Sequence, residues 1–80
     1  MTANGFTVRD LQRKLEDARV DRSLYSIGKG FDETLCLVEL PDGSWETFVG
    51  QRGVKDQRLV WPDEETACYG FLGQIAWTHW

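Results

Sequence analysis

Asp42–Gly43 lies between two segments rich in β-forming residues, Leu35–Val38 before it and Trp45–Val49 after it. Asp-Gly is a strong local signal for a tight β-turn, because glycine adopts positive φ values without a steric penalty. Pro41 is typical of the residues that flank such turns. The sequence therefore predicts an antiparallel hairpin, and the rest of the chain has to pack against a sheet that contains it.

The register of this hairpin has two solutions. A two-residue turn places Trp45 opposite Leu40, whereas a three-residue turn with a bulge groups Trp45 with Leu35 and Leu37. In both registers Trp45 and Phe48 point to opposite faces of the sheet, since side chains alternate along a strand. The sequence leaves both registers open.

Helices are predicted on either side of the strands. Thr7 and Asp10 form a capping-box pattern at the start of the first helix, and Asp63 is a candidate N-cap for the last. In chain order, we expect a helix over 8–19, strands over 23–27, 33–40, from 44 and over 57–61, and a helix from about 63. This order, α-β-β-β-β-α, predicts an α+β fold: an antiparallel meander of three to four strands flanked by an N-terminal and a C-terminal helix.

The length of the chain, 80 residues, predicts a single small domain over 1–80, with frayed ends at 1–6 and 77–80. The first ten residues, MTANGFTVRD, lack the apolar core of a signal peptide, and no segment approaches the roughly 20 apolar residues of a membrane span. We therefore expect a cytoplasmic protein that does not bind a membrane.

The residue types needed for catalysis or metal binding are not grouped in the sequence. His79, the single histidine, is the penultimate residue, and the carboxylates of Asp63–Glu65 are explained by a helix start. Cys36 and Cys68 have no CxxC spacing and fall in apolar segments, which predicts free buried thiols, with one disulfide as the alternative. We expect no enzyme, and no catalytic residue, cofactor or metal.

Charge is distributed unevenly along the chain, whose formal net charge is -4. Residues 1–22 carry five basic and four acidic side chains, whereas residues 23–80 carry four basic and nine acidic ones. Five of those carboxylates lie between Asp32 and Glu46, a segment with no Lys or Arg. This pattern argues against nucleic acid as a partner and would attract a basic protein, although a solvated acidic surface is the simpler explanation.

Five side chains in and around the hairpin are candidates for contact with a partner: Glu39, Trp45, Glu46, Phe48 and Arg52. If both helices pack on one face of the sheet, the other face keeps an exposed apolar patch with a charged rim, which is typical of a protein-binding or dimer surface. If the helices lie on opposite faces, both aromatic side chains are buried. The sequence does not distinguish these arrangements.

Three segments carry a resemblance to a known group of proteins: YSIG at 25–28, WETFVGQRG at 45–53 and DEETACYGFL at 63–72. They resemble a group of small actinobacterial proteins encoded near secreted polymorphic toxins, which are similar to immunity proteins. Gln51 and Thr47 depart from the group's pattern, which has Glu and an apolar residue there. The resemblance implies a non-enzymatic binding protein, and a basic toxin blocked through the acidic sheet face or hairpin is the first hypothesis. A self-associating, homodimeric accessory or structural domain is the alternative.

Overall fold

A computed structural model describes residues 5–30 and 33–79 of the chain, with side chains as far as Trp77. The predictions made for residues 1–4, Asp32, the side chain of His79 and Trp80 lie outside these residues. The elements are α1 (Val8–Asp17), β1 (Tyr25–Ile27), β2 (Leu35–Glu39), β3 (Trp45–Gln51), β4 (Val54–Trp61) and α2 (Glu64–His79), with one 3-10 turn, Arg22–Leu24, before β1. The predicted α+β class and the order α-β-β-β-β-α are confirmed.

The sheet has the strand order β1-β2-β3-β4, and one of its pairings differs from the predicted antiparallel meander. β3 pairs antiparallel with β2 and β4, but β1 runs parallel to β2, with Ser26 opposite Cys36. The reason is the shortness of β1, because a three-residue strand spans only about 10 Å. Seven residues separate β1 from β2, which is enough chain to return to the start of β2.

The β2–β3 hairpin adopts the three-residue turn of the two predicted registers. Glu39 pairs with Trp45 and Leu37 with Thr47, and the Leu40 N–H donates to the Ser44 carbonyl at 2.8 Å. Gly43 has φ +91°, the left-handed conformation that this turn requires. Trp45 therefore shares a face with Leu37, as the second register predicted.

The β3–β4 hairpin turns on two residues, Arg52 and Gly53, whose φ values are +53° and +79°. Two consecutive positive φ values are typical of a type I′ turn, which matches the twist of the flanking strands. β4 consequently begins at Val54, three residues earlier than predicted. A register irregularity between Thr47 and Val49, where Gln57 of β4 has φ +54°, interrupts the ladder.

Both helices pack on one face of the sheet. The buried core contains Leu11 and Leu15 of α1 and Leu37 of β2. From α2 it takes Ala67, Cys68, Phe71 and Ile75. Each large apolar side chain buried here stabilises the fold by about 1.5–3 kcal/mol. Of the two predicted helix arrangements, the structure has the one that leaves the other face of the sheet without a helix.

The helix starts are closed by side-chain caps, which also join the two helices. Thr7 and Asp10 form the predicted capping box of α1, and the Asp63 Oδ1 accepts the Thr66 N–H at 2.8 Å. The Glu64 Oε2 accepts the Val8 N–H at 2.8 Å, so a carboxylate of α2 satisfies a donor in the first turn of α1. The acidic run at 63–65 thus has a structural role at this corner of the fold.

Candidate functional site

The five side chains proposed from the sequence do not form one surface. Glu39 and Trp45 are cross-strand partners on the helix-covered face, where Trp45 is half-buried against the core. Glu46 and Phe48 are buried on the opposite face, and Arg52 lies in the β3–β4 turn. One partner surface could not contact all five without rearrangement of the sheet.

The helix-free face does not expose an apolar patch at Phe48, whose side chain is only 5% exposed. The Lys55 ammonium lies 4.9 Å from the centre of the Phe48 ring, a cation–π distance. The chain also passes close to the ring at Gly30, where a Cβ would lie 3.0 Å from the Phe48 Cζ. The exposed patch expected for this helix arrangement is therefore wrong at Phe48, because neighbouring segments cover the ring.

Glu46 is fully buried, and its carboxylate is shared by two cations of β4. The Lys55 Nζ lies 2.7 Å from Oε1, and the Arg58 Nε donates to Oε2. Burial acts to raise the pKa of Glu46, but the hydrogen bonds and charges of Lys55 and Arg58 outweigh it and hold the pKa below its ordinary value. The ammonium of Lys55 and the guanidinium of Arg58 are half-exposed, whereas the Glu46 carboxylate is buried. The surface of this face around Glu46 is therefore basic, not acidic.

The path of α2 across the sheet is set at Gly70. A Cβ at Gly70 would lie 2.5 Å from the Trp61 Cη2, so only glycine allows the helix to approach the indole ring this closely. The ring is held in turn, since the Trp61 Nε1 donates to the buried Thr47 Oγ1 at 2.9 Å. Close packing of α2 against the sheet thus explains the glycine at position 70.

Beyond Gly70, the C-terminal half of α2 and the sheet enclose a groove of about 590 Å³, which we call the α2 groove. One wall is the helix stripe Gly70, Gly73, Gln74 and Trp77, at the spacing i, i+3, i+4, i+7. Leu35 and Val49, directly paired on β2 and β3, line the opposite wall, together with Leu24. The volume and the apolar lining fall within the range that is typical of ligand pockets in proteins.

The rim of the α2 groove carries its charge and its unusual backbone geometry. Among the described residues that line it, Glu33 is the one charged side chain, and it is exposed. Glu33 and Gln57 have φ values of +61° and +54°, which a side chain makes unfavourable by about 1 kcal/mol or more. Two residues with strained backbones thus line the same apolar groove.

A second depression of about 850 Å³ adjoins the α2 groove and shares Glu33 and Val49 with it. It extends to Arg52, Val54 and Asp56 at the β3–β4 turn. Arg52 is therefore the one proposed contact residue that the structure places beside this continuous concave surface. The second depression is lined by two carboxylates, Glu33 and Asp56, and by one cation, Arg52.

Trp77 lines the α2 groove and is 89% exposed, more than the other exposed large apolar residues of the described chain. Sequence reasoning missed this groove because residues 77–80 were expected to fray, whereas α2 continues to His79. A signal was present, since residues 70, 73, 74 and 77 form a second stripe beside the core stripe of the same helix.

The described residues offer little that could serve redox, metal or nucleophilic chemistry. Cys36 and Cys68 are buried thiols that form no disulfide, as predicted, and burial raises the pKa of Cys68 to about 12, with Glu64 and Asp10 adding to it. Among the side chains that the structure describes, over 5–30 and 33–77, no group of Cys, Asp and Glu comes together that could hold a metal ion. In the same residues, no helix has both the length and the apolar character to cross a membrane.

Comparison with known proteins adds no relative to this picture. No protein-family model, no curated protein and no solved structure matches the chain.

Proposed function

We propose that the chain is a non-enzymatic protein-binding domain of the immunity type that its sequence resembles, and that it binds a basic protein partner at the α2 groove. The observation that carries this proposal is an apolar groove of about 590 Å³ beside an almost fully exposed Trp77. The proposed contact surface is therefore the α2 groove on the helix-covered face, and it replaces the acidic sheet face or hairpin proposed from the sequence.

Trp77 supports a binding role because its exposure has no benefit for the isolated fold. Burying a large apolar side chain stabilises by about 1.5–3 kcal/mol, and Trp77 forgoes that stabilisation at 89% exposure. Tryptophan is enriched among the residues that dominate protein–protein binding energies, particularly where it lies beside a pocket. A partner that covers Trp77 would gain this energy.

The electrostatics favour a basic partner. The chain has a net charge of -4, and Glu33 carries the charge at the groove. Opposite charge on a partner would accelerate association and disfavour acidic competitors. Glu46 is not part of this surface, because Lys55 and Arg58 already neutralise it.

The test compares Trp77→Ser with Val60→Ser, a matched control. Val60 is 54% exposed but belongs to β4 and pairs with Glu46 on the other side of the sheet. Each purified, tagged chain is incubated with cell extract, and captured proteins are quantified by mass spectrometry and then titrated in purified form. We expect a basic protein that binds the wild type and Val60→Ser and loses affinity for Trp77→Ser. Equal binding to all three chains would refute the proposed site.

Self-association is the second candidate, favoured by the exposed apolar side chains of the edge strand β4: Val54, Leu59 and Val60. The same strand carries Lys55, Arg58 and an irregularity at Gln57, which are devices that oppose edge-to-edge strand pairing. This conflict places the homodimer second. Sedimentation equilibrium over a wide concentration range decides it, since a stable dimer that Leu59→Ser dissociates would favour self-association.

A further inference from the structure

Gly73 lacks the structural explanation that Gly70 has. A Cβ at Gly73 would meet no atom within 4 Å, and its φ is not among the positive values. A glycine inside a helix nevertheless costs about 1 kcal/mol relative to alanine. Neither packing nor backbone conformation of the fold requires this glycine, and the space it leaves open belongs to the α2 groove.

The space beside Gly73 suits one large side chain. The groove lies within the range of about 300–1,000 Å³ typical of ligand sites, and Leu35, Val49 and Trp77 present apolar surface to it. An aromatic side chain buries about 150–250 Å² and gains further from an aromatic neighbour such as Trp77. With no Cβ at position 73, a partner ring could lie directly against the helix backbone.

The carboxylates near the α2 groove favour a partner segment that carries positive charge. Glu33 borders the groove, Asp56 lies in the adjoining depression, and both are exposed. A cation next to the inserted aromatic side chain could reach the Glu33 carboxylate. The left-handed backbone of Glu33 holds a carboxylate at a position where glycine would be easier, which is consistent with strain retained at a binding site.

We propose that the α2 groove receives an aromatic side chain of a protein partner, flanked by Lys or Arg that pairs with Glu33, and that Gly73 provides the room for the ring. This inference rests on the proposed function, because it takes the partner to be a protein. It goes further by naming the chemistry of the recognised segment.

The experiment is a titration of the full chain, labelled with ¹⁵N, with the peptide N-acetyl-Lys-Trp-Lys-amide at up to millimolar concentrations. We expect saturable shifts of the Val49, Gly70 and Gly73 amides. The acidic counterpart, N-acetyl-Glu-Trp-Glu-amide, is expected to bind more weakly. Glu33→Gln is expected to weaken binding of the basic peptide about two- to fivefold, as for a partly exposed ion pair.

Gly73→Leu tests the space itself, because leucine fills the groove and is a good helix former. We expect this variant to keep its melting temperature or raise it, and to bind the basic peptide at least about tenfold more weakly. Gly73→Ala serves as a second variant, with a smaller loss of affinity, in case leucine disturbs the helix. Val60→Ser is the control that should bind like the wild type.

Several outcomes overturn the inference. If the basic peptide binds a folded Gly73→Leu variant as tightly as the wild type, or if the Val49, Gly70 and Gly73 amides show no saturable shift, the peptide does not bind in the α2 groove. If the acidic peptide binds as tightly as the basic one, the groove does not select Lys or Arg beside the aromatic side chain. If indole alone binds as tightly as the basic peptide, the groove is a small-molecule site and does not recognise a peptide. The proposed function is tested separately. If the basic peptide binds at the α2 groove but no basic protein is captured in a Trp77-dependent way, the groove has the proposed chemistry and the proposed protein partner is refuted.

Discussion

Gly70 and Gly73 lie one helical turn apart on the same stripe of α2, and alanine substitutions at the two positions should have opposite effects on stability. Both substitutions gain the same helix propensity, about 1 kcal/mol. They differ in what the new methyl group meets. At Gly73 it meets open space, whereas at Gly70 it would lie 2.5 Å from the Trp61 Cη2.

The magnitude at Gly70 follows from the fixed position of Trp61. Overpacking of this kind costs about 1–3 kcal/mol. If the ring turns away instead, it loses its 2.9 Å hydrogen bond to the buried Thr47 hydroxyl, at about 1 kcal/mol or more. After subtraction of the propensity gain of about 1 kcal/mol, we expect Gly70→Ala to lower the free energy of unfolding by as much as about 2 kcal/mol. Gly73→Ala should raise it by about 0.5–1 kcal/mol.

Urea denaturation followed by circular dichroism at the helix band measures both values. At about 4–8 °C per kcal/mol for a domain of this size, the melting temperatures of the two variants should also differ by roughly 10 °C. The slope of unfolding free energy against urea should stay constant, which shows that stability and not compactness has changed. A Gly70→Ala chain as stable as Gly73→Ala would refute the packing argument.

A double-variant cycle isolates the contact. In a Trp61→Leu background the ring that obstructs the methyl group is absent, so Gly70→Ala should become neutral or stabilising. If Gly70→Ala destabilises this background by the same amount as the wild type, the cause is not the contact with Trp61.

Three further predictions concern buried polar and titratable groups. The pKa of Glu46 is lowered in the folded chain, so its contribution is complete above its ordinary pKa of 4.5 and disappears as pH falls through the folded pKa. Glu46→Gln should therefore cost about 1–3 kcal/mol at neutral pH and flatten part of the acid limb of a stability–pH curve; an unchanged limb would contradict this. Cys36 and Cys68 are buried thiols and should react with a disulfide reagent only as fast as the chain opens, whereas rapid labelling of the native chain would contradict their burial. Thr47→Val removes the acceptor of the Trp61 indole and should cost about 1–2 kcal/mol in urea unfolding, and an unaltered midpoint would show that the bond contributes nothing net.

Local signals determined much of the secondary structure. Thr7 and Asp10 cap α1 as their spacing predicted, because a capping box involves only residues three apart. Gly43 marks the β2–β3 turn, and Asp63 marks the start of α2. Each of these features depends on the geometry of a few consecutive residues, which the sequence contains in full.

The arrangement of these elements was decided by tertiary structure. The parallel pairing of β1 with β2, the choice of register and the packing of both helices on one face depend on which apolar surfaces meet. No residue pattern in this sequence distinguishes these alternatives, since each buries a comparable set of side chains. The burial of Glu46 under Lys55 and Arg58 likewise depends on a hairpin that brings together residues 9 and 12 positions apart.

The candidate site is formed almost entirely by tertiary packing, because residues from α2, β2 and β3 line it. The stripe of residues 70, 73, 74 and 77 was present in the sequence, but a stripe becomes a groove only when Leu35 and Val49 face it across a gap. The width of that gap is set by the contact of Gly70 with Trp61, between two elements. The residue pattern is enough to show which helix faces are apolar. Only packing decided which of them was covered and which was left open.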